Sequence, residues 1–365
     1  MMPIGTRAGD EGMSIDHSKT ISNDSLGDLC RREGFSQNSL PISDFAWKKL
    51  IRFGELIPLS ITQFWGFEMS LSNDLYEADL LFCVHKADQF NRFVNGEGGL
   101  LLFGDTISKQ YQWLGSKWSD KSDEMHSSIS NLWFEYDYSD LVTVGHKPNF
   151  FFAPNPNKHI LEILSSAEIV FSHLSRMAPI LEGYGQLLKC HEALSGKAWI
   201  SQIGVMLARS YSSIRVFIQD IPKNEIVIIL NKLNYANASD PILIKYLAIC
   251  ELYSSQVNLN VDVDHKIGDK LGIECYFNTM KSAIDFMHKL CDINLCTSLK
   301  FSAIKEYMTL INFDKSMNYQ SFFSHFKLVF QPGVLPYVKV YTGFVHNEIA
   351  RKVIRTKPLQ KLNHE

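Results

Sequence analysis

AWISQIGVMLARSYSSIRVFIQDIPKNEIVIILNKL (198–233), continued by SDPILIKYLAICELY (239–253), carries the pattern from which the rest of the chain can be read. Two extended segments, 198–208 and 213–220, flank a short turn at Arg209–Ser212. In the second, Ile214, Val216 and Ile218 alternate with Arg215, Phe217 and Gln219, the period of a strand with two unlike faces. Asp220 to Pro222 then lead into a helical stretch at 223–233. A second helix is expected over 240–254, with Asp240 as N-cap and Pro241 at the first helical position, where its missing N–H costs nothing.

The same unit recurs on both sides. Downstream, QVNLNVDVD (256–264), the turn HKIG (265–268) and KLGIECYF (270–277) precede a helix opened by Thr279, with Ile284, Met287 and Leu290 on one face, and another at 299–311. HFKLVFQ (325–331) turns at Pro332–Gly333 into LPYVKVYTGF (335–344). Upstream, NLWFEYDY (131–138) and KPNFFFAP (147–154) lead into helices at 158–173 and 178–194. The first copy is TQFWGFEMSLS (62–72) with EADLLFCVH (77–85), and GEGG (96–99) reads as a turn. Strands joined by short turns are antiparallel, because a parallel return needs a crossover of about a dozen residues. The expected fold is therefore α/β (α+β): five hairpins forming a ten-stranded antiparallel β-barrel wrapped by helix pairs, which leaves no exposed edge.

The strand faces point to a chamber. Val257, Leu259, Val261 and Val263 alternate with Asn258, Asn260, Asp262 and Asp264; Leu271, Ile273, Cys275 and Phe277 alternate with Gly272, Glu274 and Tyr276; Val338 and Val340 alternate with Tyr337, Lys339 and Tyr341. Helices need the aliphatic face to pack on, which turns the polar-aromatic face into the lumen. In an open sheet with helices on one side, that face would instead be wet.

The division expected is a disordered tail at 1–38, one barrel domain at 39–347 and a C-terminal tail at 348–365. Ser43 and Asp44 cap the first helix, to which Phe45, Trp47, Leu50 and Ile51 give an apolar face. With 365 residues, 45% of them hydrophobic, and a net charge of −3 without a basic block, nucleic acid is excluded as a main partner. The seven cysteines (30, 83, 190, 250, 275, 291, 296) form no CxxC pair, against both a disulfide framework and a zinc site. No apolar run approaches the about 20 residues needed to span a bilayer, and the first 25 residues hold no signal-like apolar core. The expected location is the cytoplasm.

Helix pairs alternating with hairpins over about residues 45–345 resemble the ABBA, or PT-barrel, prenyltransferases. KVY at Lys339–Tyr341 is similar to the family's Lys-x-Tyr strands, while GIECYF carries Gly272, Glu274 and Tyr276 with no basic residue. SSIRVFIQD, with Arg215, is most similar to the cyanobactin peptide prenyltransferase branch. The resemblance implies transfer of an isoprenoid group from an allylic diphosphate to a small aromatic or peptide acceptor. A leaving diphosphate needs cationic and phenolic donors, for which Arg215, Lys327, Lys339, Tyr276 and Tyr341 are the candidates. Trp133, Phe217 and Tyr337, with the two tyrosines, would wall the prenyl and acceptor groups, since rings shield an allylic cation by about 1–2 kcal/mol each.

Glu68, in the first hairpin, is the first candidate to orient or deprotonate the acceptor, followed by Glu274 and Glu135. No cofactor is required, although Mg²⁺ with Asp262 as ligand is an optional aid. Lys327 and Lys339 can alternatively form an ion-pair ladder with Glu274, and Tyr276 and Tyr341 can be wall packing. His85, His325 and His346 close no recognisable triad. The acidic lumen also suits a non-catalytic barrel that binds a peptide or cationic small molecule as an accessory protein in natural-product biosynthesis. A third option is an enzyme of another class with Glu68 or Glu274 as general base.

Overall fold

The computed structural model describes residues 24–32, 40–62, 64–142, 145, 147–174, 179–194, 198–208, 213–310 and 319–346. Ten strands close into one barrel: β1 (Phe64–Ser70), β2 (Asp79–Val84), β3 (Ile129–Tyr136), β4 (Asn149–Pro154), β5 (Trp199–Val205), β6 (Ile214–Ile221), β7 (Gln256–Val263), β8 (Ile267–Tyr276), β9 (Tyr319–Gln331) and β10 (Val334–His346). Each strand pairs antiparallel with its sequence neighbour, and β1 pairs with β10 to shut the ring. The seam is tight: a Cβ on Gly66 would meet Thr342 O at 2.4 Å, so glycine is required there.

The hairpin turns lie at one end of the barrel and the helical connections leave from the other. After the first hairpin come α3 (Ala87–Val94), α4 (Glu97–Ser119) and the short α5 (Glu124–Ser128); after the second, α6 (Ile160–Leu174) and α7 (Pro179–Ala193). The third is followed by α8 (Ile226–Lys232) and α9 (Pro241–Tyr253), the fourth by α10 (Met280–Asp292) and α11 (Ser298–Leu310). Helix α2 (Asp44–Gly54) starts where Ser43 Oγ accepts the Ala46 N–H at 3.2 Å. Asp240 caps α9 by accepting from Ile242 N at 2.7 Å, with Pro241 at N1 as expected.

The hydrophobic core fills the layer between barrel wall and helices rather than the lumen. Val257, Leu259, Val261, Leu271, Ile273, Val338 and Val340 are fully buried in it. Phe134 is the hub of an aromatic cluster, with Phe82, Phe90, Phe103, Tyr111 and Phe150 at ring-centroid distances of 5.0 to 5.7 Å. The alternation read from sequence thus has its aliphatic side outward, against the helices.

Three expectations change. Within the stretch read as an N-terminal tail, Leu26–Arg32 forms a helix, α1, with Leu26, Leu29 and Cys30 buried. A capping box starts it: Asp28 accepts the Ser25 N–H at 3.0 Å while Ser25 Oγ accepts the Asp28 N–H at 3.1 Å. GEGG is not a free turn, since Gly96 is the N-cap of α4 and Glu97 begins it. Strand β9 begins at Tyr319, six positions before the expected 325, because a bulge at Ser324 breaks the two-residue period. The turn at 209–212, residues 1–23 and the tail at 348–365 lie outside the described residues.

Candidate functional site

Beneath the hairpin turns, the lumen holds a narrow polar cavity. Glu68 (β1), Glu135 (β3), Arg215 (β6), Asn260 and Asp262 (β7), Lys270 and Gly272 (β8), Lys327 (β9), and Tyr337 and Lys339 (β10) border it. Six sequence candidates meet there: Glu68, Glu135, Arg215, Lys327, Tyr337 and Lys339. Glu274, Tyr276 and Tyr341 lie one layer deeper, around His325. Phe217 sits under Lys327, its ring 5.4 Å from Nζ and 5.5 Å from Phe151. Trp133 is apart from the charged layer, packed on Phe64 at 5.0 Å.

The register explains who meets whom. Arg215 faces Asp262 across β6–β7 and forks onto it, with Nε–Oδ1 at 2.6 Å and Nη2–Oδ2 at 3.0 Å. Burial opposes the charge on both, yet each partner more than offsets this: the Arg215 pKa is raised and that of Asp262 lowered. Glu68 faces Tyr341 on one side and Asp79 on the other. Lys339 Nζ bonds Glu68 Oε1 and Tyr341 OH bonds Glu68 Oε2, so both carboxylate oxygens are engaged.

One ammonium therefore serves two carboxyls, because Lys339 is also 3.9 Å from Asp79 Oδ2. Burial works against the Glu68 anion, but Lys339 and Lys327 outweigh it and bring the carboxyl down to about 2. Asp79 goes the other way: burial first, then the Glu68 charge, push it up to about 8, so it is neutral at pH 7.

Lys327 and Lys270 are differently placed. Lys327 Nζ donates to Asn260 Oδ1 at 2.6 Å and makes no ion pair among the described residues. Burial, then Arg215, lowers its pKa to about 8. Lys270 faces the Tyr337 ring at 5.9 Å, also without an ion pair among the described residues. The ladder of Lys327 and Lys339 on Glu274 does not form: Lys339 goes to Glu68, and Glu274 accepts from Asn260 at 3.0 Å and Tyr276 at 3.0 Å. Glu135 accepts from Asn149 Nδ2 at 3.2 Å.

Gly272 makes room for this layer. A Cβ there would stand 2.7 Å from Lys327 Cε and 3.1 Å from Asn260 Cβ. Gly272→Val is expected to swing Lys327 off Asn260 and cost at least tenfold in anion affinity, while the thermal midpoint falls only slightly, since the displaced group is a flexible chain end. Calorimetry of pyrophosphate binding beside a melting curve checks both.

Lys270, Asp79, Asn260 and His325 were not picked out as site residues from the sequence. Lys270 had a signal, because it lies two positions before Gly272 and four before Glu274 on the same strand face. Asp79 and His325 had none, since their roles come from cross-strand partners. Among the described residues no three His, Cys, Asp or Glu side chains gather as a metal site, and no helix is long and apolar enough to cross a membrane.

By sequence, the chain matches no family model and no curated protein. By structure, it is similar to NotF in complex with brevianamide F and DMSPP (TM-score 0.52, 9% identity, 87% of this chain and 92% of that one). It is also similar to AnaPT from Neosartorya fischeri (0.51, 12%, 88% and 91%). A third likeness is to the prenyltransferase PriB in its ternary complex with L-tryptophan and dimethylallyl thiolodiphosphate (0.50, 11%, 89% and 97%). The fold is the ten-stranded prenyltransferase barrel expected from the alternating hairpins and helix pairs.

Proposed function

We propose that the barrel transfers an isoprenoid group from an allylic diphosphate to an aromatic or peptide acceptor. The observation that carries this reading is the convergence of Arg215, Lys270, Lys327 and Lys339 on one cavity of the lumen, with Tyr337 on its wall. Cationic donors fixed in a low-dielectric lumen stabilise the charge that develops on a departing diphosphate. Lys270 and Lys327 are ready to receive phosphate oxygens, whereas Arg215 and Lys339 must exchange a carboxylate for one. Phe217 beneath Lys327, with Tyr276 and Tyr341 stacked on His325 one layer below, gives the lumen an aromatic wall beside which an allylic cation would be shielded. PriB, of the same fold, forms a ternary complex with L-tryptophan and dimethylallyl thiolodiphosphate, and NotF a complex with brevianamide F and the same thiolodiphosphate, which agrees with this assignment.

A second reading has its own support. Because Asp262 and Glu68 already neutralise Arg215 and Lys339, a guanidinium or ammonium ligand could take the place of either cation, making the barrel a binder of cationic small molecules or peptides. Calorimetry with dimethylallyl, geranyl and farnesyl thiolodiphosphates, with and without Mg²⁺, separates the two. Micromolar binding lost in Lys327→Met supports prenyl transfer. Absence of binding by a folded sample, with arginine or an arginyl peptide binding instead, replaces it by the second reading.

A further inference from the structure

We propose that His325 and Glu274 form the proton-accepting pair of the lumen, held in place by the β9 bulge, and that Glu68 does not serve this role. The inference rests on the prenyl-transfer reading and identifies its base. In a regular strand Ser324 and His325 would point to opposite faces. The register between β9 and β10 skips Ser324, which pairs with nothing between Tyr341↔His325 and Thr342↔Phe323. The extra residue brings Ser324 Oγ to 2.8 Å from Nδ1 of its own neighbour, His325.

Aromatic faces clamp the imidazole on both sides, with Tyr341 at 4.3 Å and 12° and Tyr276 at 4.7 Å and 28°. Its Nε2 is buried and has no hydrogen-bond partner among the described residues. The carboxylate oxygen Glu274 Oε1 is at 3.7 Å, beyond hydrogen-bond reach. Buried N–H groups without an acceptor are rarer than unmet lone pairs. The proton of the neutral ring therefore belongs on Nδ1, donated to Ser324, which leaves the Nε2 lone pair bare beside a carboxylate. Burial keeps this imidazole neutral, with its pKa lowered to about 4.

Glu68 is the poorer base, because Lys339 and Tyr341 already occupy both of its oxygens. The pair sits one layer below the cavity and is joined to it by Asn260, which lines the cavity and donates to Glu274.

The balance is as follows. The allylic C–O bond breaks with its electron pair going to the diphosphate oxygen, and the acceptor atom bonds the allylic carbon. The hydrogen on that acceptor atom leaves as a proton to His325 Nε2, and Glu274 offsets the imidazolium charge. The acceptor class this suits carries an electron-rich C–H, N–H or O–H that must be lost.

Two measurements test it on the full chain. In ¹⁵N-histidine NMR at pH 7, with His325→Gln to assign the signal, His325 is expected as the neutral Nδ1–H tautomer, shifting toward Nε2–H in Ser324→Ala. An Nε2–H tautomer in the unaltered protein, or no response to Ser324→Ala, overturns the assignment. With dimethylallyl diphosphate and L-tryptophan or L-tyrosine, His325→Gln is expected to raise the ratio of dimethylallyl alcohol to prenylated product at least tenfold, with affinity for the thiolodiphosphate unchanged. An equal fall of both products also overturns it. If the unaltered protein binds no allylic diphosphate, the prenyl-transfer reading fails by itself, and the NMR result still decides whether Nε2 is the open acceptor.

Discussion

Arg215→Ala is expected to cost about 3–5 kcal/mol of stability and to abolish measurable thiolodiphosphate binding. The guanidinium is buried, and it holds both oxygens of Asp262 in a two-pronged contact. Removing it leaves a carboxylate in a low-dielectric lumen without its cation. It also takes away a planar donor that matches phosphate. Asp262→Asn separates these effects: it too removes the counter-charge of a buried group and should destabilise, but it frees Arg215, so anion affinity should rise instead of vanishing. Urea unfolding monitored by tryptophan fluorescence, with calorimetry on both variants, gives the comparison. An Arg215→Ala protein as stable as its parent would mean that the pair contributes nothing net to the fold.

The second large effect is on pH dependence. Lys327 must be charged to hold an anion, and burial together with Arg215 brings its pKa down to about 8. Affinity for thiolodiphosphate should thus be flat from pH 6.5 to 7.5 and fall above 8 by up to about tenfold per unit. Binding above pH 8 should take up a proton, because the bound anion favours the ammonium form. Calorimetry in two buffers of different ionisation enthalpy reads that uptake directly. Asp79, also at about 8, gains negative charge over the same interval and would steepen the fall. Lys327→Met should flatten most of the slope and Asp79→Asn only part of it; a slope unchanged in Lys327→Met places the titration elsewhere. His325, at about 4, does not titrate in this range.

The fold was legible wherever the two-residue period ran unbroken. QVNLNVDV and KLGIECYF place every aliphatic residue on the helix side and every polar one in the lumen, as β7 and β8 do. YQSFFS, the first half of β9, was not legible, because the Ser324 bulge puts Phe323 and Phe326 on one face three positions apart. Helix α1 was overlooked although Ser25-Leu26-Gly27-Asp28 carries a capping signal, since the polar stretch around it masks so short an apolar face.

For the site, alternation located the lumen residues but could not name their partners. Which acid neutralises Arg215 depends on β6 and β7 standing in the register that opposes 215 and 262, a property of two strands together. Asp79 and Glu68 are likewise neighbours only through the β1–β2 pairing. Charge counts along single strands therefore could not tell that, among the described residues, Lys327 and Lys270 make no ion pair while Lys339 is claimed by Glu68.

The seam between β1 and β10 has a consequence for how the protein is made. Glu68 leaves the ribosome early, yet its partners Lys339 and Tyr341 lie 271 and 273 residues further along. Throughout most of synthesis a carboxylate destined for the interior has no counter-charge, and β1 and β2 form an open ribbon edge able to recruit a foreign strand. Ring closure and charge neutralisation then arrive in one late step, when the final hairpin emerges. A nascent chain stalled before Val334 should stay protease-sensitive throughout, whereas release of the last strand should protect all ten together.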